Sequence, residues 1–352
     1  MIDHAANGQV VLFCRDLAAA EAFFTPLGFR LVSVFPADAP RHLVLTGHGL
    51  SLCLQRSSVD GGGHLRLCGD PPQTLTAPNG TRIEIVAGNG APPRIRIEAT
   101  FAMHRPRAGH AFHEGRAGML YRDLLPGRLL GAVIASHIRI PRGGPVPDYV
   151  HSHHVHGQAI YVLAGEVTVV YEDQGPPFVM RAGDCVLQPP GIRHRVLACS
   201  DGLEVVEVAS PAEHLTVVAH ELPLPTATTS PERRFAGQRF WRHEAAAATT
   251  QDGGDGFRIR DCGLGPASRG NLAVRVFTVA AAGPSPTQLA AVSKVRLCYV
   301  VHGGVTIAGQ RLLAGDLCVL PPTSAFAVAE PTADLEWLEF TLPCELGDSA
   351  PA

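Results

Sequence analysis

DYVHSHHVHGQAIYVLAG, residues 148–165, is the stretch that decides the fold of this chain, and four of its residues between positions 151 and 156 are histidines. A second stretch, GDCVLQPPGIRH, covers residues 183–194 and ends in another histidine. Imidazole nitrogens are common ligands of divalent transition metals. The two stretches together therefore predict one metal site to which both contribute.

Four residues of these stretches are the predicted metal ligands: His151, His153, Gln158 and His194. His151 and His153 are two residues apart, so on a strand their side chains point to the same face. Gln158 opens the next strand, where it either binds the metal or holds a metal-bound water. We expect one divalent ion, with Fe(II) favoured and Ni, Mn, Zn or Cu possible. Three or four protein ligands leave coordination positions open, as a catalytic site requires. The alternative is a solvated histidine-rich loop. For His154 and His156 we expect either that or a hydrogen bond to the groups around the metal.

The composition favours a β-rich globular protein. Of 352 residues, 46% are hydrophobic and 17% charged, and the chain contains 37 glycines and 29 prolines. That mixture suits many short strands joined by tight turns. A net charge of −3 without a basic run argues against a nucleic-acid partner. The absence of a long apolar run argues against a membrane span.

The cysteines bear on the compartment. The chain has nine, an odd number without a CxxC pair, and most lie in apolar segments. We expect buried, reduced thiols. Because the first residues also lack the basic and apolar regions of a signal peptide, the sequence predicts a cytoplasmic protein.

Composition and repetition divide the chain into three domains and a linker. Residues 1–92 form the first, 93–222 contain the histidine cluster, 223–234 are a Pro/Thr-rich linker, and 235–352 form the last. The last domain repeats the middle one, since CYVVHGGVT at 298–306 parallels IYVLAGEVT at 160–168 and GDLCVLPP at 315–322 parallels GDCVLQPP at 183–190. Such a repeat indicates a duplicated β-barrel.

The middle domain resembles the cupin superfamily, whose members are small antiparallel jelly-roll barrels. The first cupin motif is matched by His151, His153 and Gly165, with Gln158 in place of the usual glutamate. The second motif is matched by Gly183, Pro189, Gly191 and His194, with Ala198 in place of the usual asparagine. The resemblance implies a mainly β fold with two jelly-roll (cupin) barrels in tandem, preceded by a small α+β domain. It also implies a homodimer.

The last domain is similar to a cupin that has lost its metal ligands. The resemblance aligns Leu289 and Ala291 with the two histidines of the first motif and Arg296 with its acid. It aligns Phe326 with the histidine of the second motif. The pattern implies a bicupin with one intact metal site.

The first domain has the order βαβββ and resembles the glyoxalase, or vicinal-oxygen-chelate, superfamily. Asp16 is expected to cap a helix over residues 17–24, and APNGTRIEI at 77–85 matches the closing strand of that family. In that alignment Glu84 matches the closing glutamate of the family, while Gln9 replaces its first histidine. We therefore expect a non-catalytic domain.

Three further residues are predicted to act on the substrate. Tyr149 precedes His151 by two positions, so it is a candidate proton donor. His137 and Arg139 share one face of a strand, and Arg139 is a candidate clamp for a substrate carboxylate. The alternative for His137 and Arg139 is a solvated polar face.

These residues suit three functions. The first is a mononuclear metal enzyme, favoured to be a dioxygenase, that acts on a small organic acid or phenol chelating the metal. The second is a redox-neutral isomerase, epimerase or lyase using the same metal. The third is a non-catalytic metal- or metabolite-binding protein. No sequence feature decides between the first two.

Overall fold

The computed structural model describes residues 9–35, 40–68, 71–86, 94–106, 111–219, 222–280 and 287–346. The chain divides into two units, Met1–Gly90 and Ala91–Ala352. Nearly all regular structure is β, as the sequence predicts. No helix in the described part of the chain is long and apolar enough to cross a membrane. The eight cysteines whose side chains are described are free thiols, and all of them but the half-buried Cys344 are buried.

The first unit has one helix and two small sheets. Its elements are β1 Val10–Cys14, α1 Leu17–Phe24, β2 Arg30–Phe35, β3 His42–Gly47, β4 Leu50–Arg56, β5 His64–Cys68, β6 Gln73–Thr76 and β7 Arg82–Val86. The sheets have the strand orders β1-β4-β3-β2 and β5-β7-β6. Asp16 caps α1 as expected, because its carboxylate accepts the amide of Ala19 at 3.0 Å.

The glyoxalase resemblance of this unit remains a prediction, although the order βαβββ is present. Glu84, which matches the closing glutamate of that family, accepts a hydrogen bond from Arg66 at 2.9 Å and lies 3.4 Å from His64. An arginine on this carboxylate competes with a metal for it, and the non-catalytic role of the domain stays a prediction.

The second unit contains two barrels. The first barrel is built mainly from β10 to β21, and β8 and β9 precede it in the chain. Their bounds are β8 Ile95–Arg96, β9 Ala102–His104, β10 His113–Glu114, β11 Leu120–Asp123, β12 Ile134–Ile140, β13 Gly144–Pro145, β14 His151–His153, β15 Gly157–Ala164, β16 Glu166–Tyr171, β17 Phe178–Arg181, β18 Cys185–Gln188, β19 His194–Cys199, β20 Leu203–Ser210 and β21 Thr216–Val218.

The remaining strands and one short helix follow in the chain, and most of these strands build the second barrel. Their bounds are β22 Arg234–Phe235, β23 Gln238–Arg239, β24 Trp241–His243, β25 Gln251–Gly254, β26 Phe257–Asp261, α2 Leu264–Ala267, β27 Ala273–Val279, β28 Thr287–Leu289, β29 Lys294–His302, β30 Gly304–Ile307, β31 Gln310–Leu313, β32 Leu317–Leu320, β33 Phe326–Ala329, β34 Glu336–Pro343 and β35 Glu345–Leu346.

Each barrel consists of a large and a small sheet. The first combines β10-β11-β12-β20-β15-β18-β24 with β17-β16-β19-β14-β21, and the second combines β25-β26-β27-β34-β29-β32-β9 with β28-β33-β30-β31. The barrels exchange edge strands, since β24 pairs with β18 of the first barrel and β9 pairs with β32 of the second. The boundaries drawn at residues 222 and 235 from the sequence therefore do not separate the barrels in space.

The linker predicted over 223–234 is bonded to the first barrel. Arg233 bridges Glu172 at 2.9 Å and Asp173 at 2.6 Å, and Thr228 donates to Asp173 at 3.1 Å. The segment is therefore an ordered strap rather than a free connection.

Both faces of the large sheets are buried. Tyr161 and Val206 of the first barrel pack with Leu297 and Phe340 of the second in a core between the barrels. The opposite faces of the same strands line the barrel interiors. Because neighbouring residues on a strand point to opposite faces, this two-sided burial determines which side chains can reach the interior of the first barrel.

Candidate metal centre

Three of the four predicted ligands meet inside the first barrel. His151 and His153 lie on β14, and His194 opens β19, where it pairs directly with His151. The ring centroids are 4.2 Å apart for His151 and His194, 4.9 Å for His151 and His153, and 5.3 Å for His153 and His194. One nitrogen from each ring lies within 4.8 Å of the others. The three rings are therefore close enough to share one ion.

The turn before β19 holds the two motifs together. The backbone amide of Gly191 donates to the carbonyl of His153 at 2.9 Å. Gly191 has φ of 76°, a left-handed conformation that favours glycine. The glycine of the second motif thus places the His194 hairpin against the first motif.

Hydrogen bonds fix the orientation of each imidazole. The Nδ1 atom of His151 lies 2.8 Å from the carbonyl oxygen of Tyr149, and that of His194 lies 3.1 Å from the carbonyl oxygen of Ile192. Because a carbonyl can only accept, both Nδ1 atoms carry the proton. The Nδ1 atom of His153 is 2.9 Å from the hydroxyl of Thr216. A ring held through Nδ1 keeps the lone pair of Nε2 for a metal, which is the usual arrangement around metal-binding histidines.

Gln158 supplies an oxygen in the same cavity. Its side chain is 2% exposed, and its Oε1 atom accepts no hydrogen bond from the described residues. A buried oxygen without a donor is costly unless something else binds it. Three imidazoles and an amide oxygen are a neutral donor set of the kind that divalent transition metals accept. The residues present therefore fit a divalent metal ion.

The cavity around this cluster has a volume of about 80 Å³. Most of its lining is aliphatic, including Ile138, Ile140, Ile160, Val169, Val186 and Val205. A space of that size holds several water molecules or one small organic molecule. As strand alternation predicts, Ile160 lines the cavity and Tyr161 points away from it.

Gln188 and Tyr171 extend the polar end of the cavity. Gln188 pairs with Gln158 across β15 and β18, and its amide donates to the Tyr171 hydroxyl at 2.7 Å. Tyr171 stacks on His194 with ring centroids 5.5 Å apart. Burial raises the pKa of the Tyr171 hydroxyl, and the charge of Glu207 adds to the effect. Tyr171 is therefore a protonated phenol in contact with the candidate site at neutral pH.

Tyr171 and Glu207 also line the cavity, although the sequence did not lead us to predict them. Tyr171 points into the barrel like Val167 and Val169 on the same strand, β16. Glu207 points into the barrel like Val205 on β20. A polar residue in register with apolar core positions is the signal that could have revealed them.

The structure does not bring His137 and Arg139 to the cluster, which corrects the expectation that they act on the substrate. Ile138 and Ile140 line the cavity, so His137 and Arg139 point to the other face of β12. There both bind Glu204, His137 through Nε2 at 2.7 Å and Arg139 at 2.9 Å. An arginine paired with Glu204 on the far face of the sheet cannot hold a substrate carboxylate at the metal.

Tyr149 lies beside the cluster rather than in the cavity. Its ring meets that of His151 edge to face with centroids 5.7 Å apart, and 37% of the residue is exposed. It is not among the residues that line the cavity. The contribution visible here is its backbone carbonyl, which orients His151; a role as proton donor stays a prediction.

The second barrel repeats the register of the first with other residues. Leu289 pairs with Phe326 as His151 pairs with His194, and Arg296 pairs with Leu320 as Gln158 pairs with Gln188. The buried Arg296 guanidinium lies 3.9 Å from Glu339. An internal cation of the chain therefore stands at the position that Gln158 has in the first barrel.

Known proteins resemble this chain in one stretch of sequence and in fold. Residues 136–209 match the family model of the cupin domain. A structure of a variant of oxalate decarboxylase from B. subtilis is 13% identical with a TM-score of 0.50, covering 74% of this chain and 80% of that one. The structure of protein Ylba from E. coli is 12% identical with a TM-score of 0.49, covering 74% of this chain and 97% of that one. No curated protein matches in sequence. At such identities the likeness to the decarboxylase concerns the fold alone.

Proposed function

We propose that this chain, whose residues 136–209 match the family model of the cupin domain, is a mononuclear metal-dependent enzyme, and specifically a dioxygenase acting on a small organic acid or phenol. The observation that carries the proposal is the convergence of three buried or half-buried imidazoles in a largely aliphatic cavity. Each ring is oriented from behind by a hydrogen bond, as a preformed metal site requires.

His151, His153 and His194 would hold the ion, and Gln158 would contribute its amide oxygen or hold a bound water. Fe(II) is favoured, with Ni, Mn, Zn or Cu possible, because imidazole suits all of them. When bound, the ion supplies a Lewis acid and, for a redox-active metal, an electron donor. Because the protein donors are neutral, the ion keeps its full charge for an anionic substrate.

The residues of the chain itself perform two tasks. The aliphatic walls exclude water, which strengthens electrostatic interactions between the substrate and the polar end of the cavity. Tyr171 accepts a hydrogen bond from Gln188, so its own hydroxyl proton remains available to another acceptor in the cavity. Tyr171 is therefore suited to stabilise a developing negative charge on substrate oxygen.

A redox-neutral isomerase, epimerase or lyase is the second candidate. The observation that favours it is the presence of a protonated phenol, Tyr171, and a carboxylate, Glu207, in one cavity. Such a pair can move protons without consuming oxygen. A homodimer and a cytoplasmic location stay predictions from the sequence.

The test measures the metal content of the protein first and its consumption of oxygen second. Protein stripped with a chelator is reloaded separately with Fe(II), Mn(II), Ni(II) and Zn(II), and an oxygen electrode follows turnover of small hydroxy acids, oxo acids and phenols. We expect one ion per chain and oxygen consumption with Fe(II). His153→Ala should lose both, whereas the control His154→Ala, outside the cluster, should keep both. Equal turnover under argon would exclude the dioxygenase, and activity with Zn(II) or Ni(II) would then favour the redox-neutral alternative.

A further inference from the structure

The polar groups of the cavity form one connected patch. His151 meets His194, His194 stacks on Tyr171, and Tyr171 is bonded to Gln188. Gln188 pairs with Gln158 on the neighbouring strand. Away from this patch, most of the wall consists of valine, isoleucine, leucine and methionine side chains. A substrate that binds the metal with one end must therefore place its other end largely against hydrocarbon.

The charge of the wall is as informative as its polarity. Among the described residues that line the cavity, none is lysine or arginine, and the only acid is Glu207. Arg139, on the strand that contributes Ile138 and Ile140, is engaged by Glu204 on the opposite face. The wall therefore offers no described cation to a second anionic group of a substrate.

In the second barrel, two arginines occupy the positions that correspond to this part of the cavity wall. Glu339 has the register position of Glu207, since it pairs with Arg275 on β27 as Glu207 pairs with Ser136 on β12. There the carboxylate receives Arg275 at 2.6 Å and faces Arg296 at 3.9 Å. In the first barrel the corresponding positions are Ser136 and Gln158. The second barrel therefore has two guanidinium groups that could pair with an anion, and the first barrel has none at the equivalent positions.

We infer that the substrate of this site binds the metal through two oxygen atoms that together carry one negative charge, and that the rest of the molecule is an uncharged hydrocarbon group of a few carbons. Short-chain 2-oxo or 2-hydroxy monocarboxylic acids have this chemistry. A dicarboxylic acid is rejected, because its second carboxylate would lie against aliphatic side chains and near Glu207, with no cation among the described lining residues to pair with it. This inference rests on the proposed function and names its substrate class.

A matched pair of ligands tests the inference without turnover. 2-Oxopentanoate and 2-oxoglutarate have the same five-carbon backbone and the same chelating end, and differ in a terminal methyl or carboxylate. Binding to the Co(II)-loaded protein is followed anaerobically by the change in the metal absorption spectrum. We expect 2-oxopentanoate to bind about a hundredfold more tightly than 2-oxoglutarate. From pyruvate to 2-oxopentanoate each added methylene should tighten binding about fourfold until the cavity is full.

A variant separates charge from shape. Glu207→Gln keeps the size of the side chain and removes its charge, so 2-oxoglutarate should bind about tenfold more tightly to it, while 2-oxopentanoate changes less than about threefold. Equal or tighter binding of 2-oxoglutarate to the unaltered protein overturns the inference, as does the absence of binding by every monocarboxylate. Selective binding of monocarboxylates without oxygen consumption keeps the inference and refutes the dioxygenase. A protein that takes up no metal refutes both.

Discussion

Glu339→Gln should destabilise the second barrel, because Glu339 is the anion that keeps an arginine in its interior. Glu339 is 1% exposed and Arg296 is 2% exposed. The carboxylate lies 2.6 Å from Arg275 and 3.9 Å from Arg296. Arg296 has two weaker described contacts, the Ser324 carbonyl at 3.5 Å and the Phe326 ring, whose centroid is 6.0 Å from the guanidinium carbon. Without the charge of Glu339, these two weak contacts would not compensate the buried Arg296 guanidinium.

The magnitude follows from the burial of the two arginines. Removing one partner of a buried ion pair costs about 3 to 5 kcal/mol, because the remaining charge is left uncompensated. The Arg275 side chain is 34% exposed, so water can take over part of its solvation, whereas the Arg296 side chain is 3% exposed. Glutamine also still accepts one hydrogen bond from Arg275. We therefore expect the lower end of the range, a loss of about 3 kcal/mol in the free energy of unfolding.

Trp337 provides the assay, since it lies in the core of the second barrel two residues from Glu339. Because Trp241 pairs with the first barrel, all variants carry Trp241→Phe, and the fluorescence of Trp337 in urea then follows the unfolding of the second barrel. The exposed Glu345 gives a control, because Glu345→Gln should change stability by less than about 0.5 kcal/mol. The double variant Arg296→Met, Glu339→Gln removes both charges and should recover part of the loss. The reasoning is refuted if Glu339→Gln is as stable as the control, or if the double variant is less stable than Glu339→Gln.

Three further predictions concern the first barrel. Gln158→Glu adds a negative charge to the candidate ligand set, so the affinity for a divalent metal should rise at least about tenfold in competition with a chelator; an unchanged affinity would place residue 158 away from the ion. Thr216→Val removes the hydroxyl that holds the Nδ1 atom of His153, and metal affinity in the same titration should fall about tenfold; an unaltered affinity would show that this hydrogen bond does not orient the ring. Burial lowers the pKa of His137, so below pH about 6.5 the unfolded chain takes up a proton before the folded one, and the free energy of unfolding falls as the pH falls through the folded pKa. His137→Gln should make urea unfolding less sensitive to pH between 7.5 and 5, and an equal loss in both proteins would contradict this assignment.

Two short motifs made the convergence of His151, His153 and His194 predictable. The spacing of His151 and His153 fixes their common face, and Gly191 fixes the turn that brings in His194. The sequence also allowed Arg296 to be aligned with Gln158 and Phe326 with His194. The alignment holds because the two barrels have the same strand order and the same strand register at these positions. In each case a local pattern determines the geometry.

Strand alternation alone could not say which face of β12 points inward. It shows that His137 and Arg139 share one face and that Ile138 and Ile140 share the other. In a sheet with one solvated face, the aliphatic pair would identify the core. Here both faces of the large sheet are buried, and the outer face holds the cluster of His137, Arg139 and Glu204. Only the packing of the two barrels resolves the choice.

The exchange of edge strands between the barrels could not be predicted from the sequence, for a different reason. β9 and β24 have three residues each, and their partners β32 and β18 lie far away in the sequence. Segments so short have no periodicity to interpret, and backbone pairing leaves no side-chain signature. Domain boundaries drawn from composition therefore separate segments that the hydrogen bonds join.

The first cupin motif usually has a glutamate where this chain has Gln158. The cavity still contains a negative charge, because Glu207 lies on the neighbouring strand. Gln158 pairs with Ala209 on β20, and Glu207 stands two residues before Ala209 on the same face. A carboxylate bound to the ion would cancel half of its charge, whereas one on the neighbouring strand acts only through space. Under the proposed function, the ion then keeps its charge for the substrate while the wall stays negative. The second barrel supports this logic, because there Glu339 faces Arg296, which supplies from the chain the positive charge that a metal would supply beside Gln158.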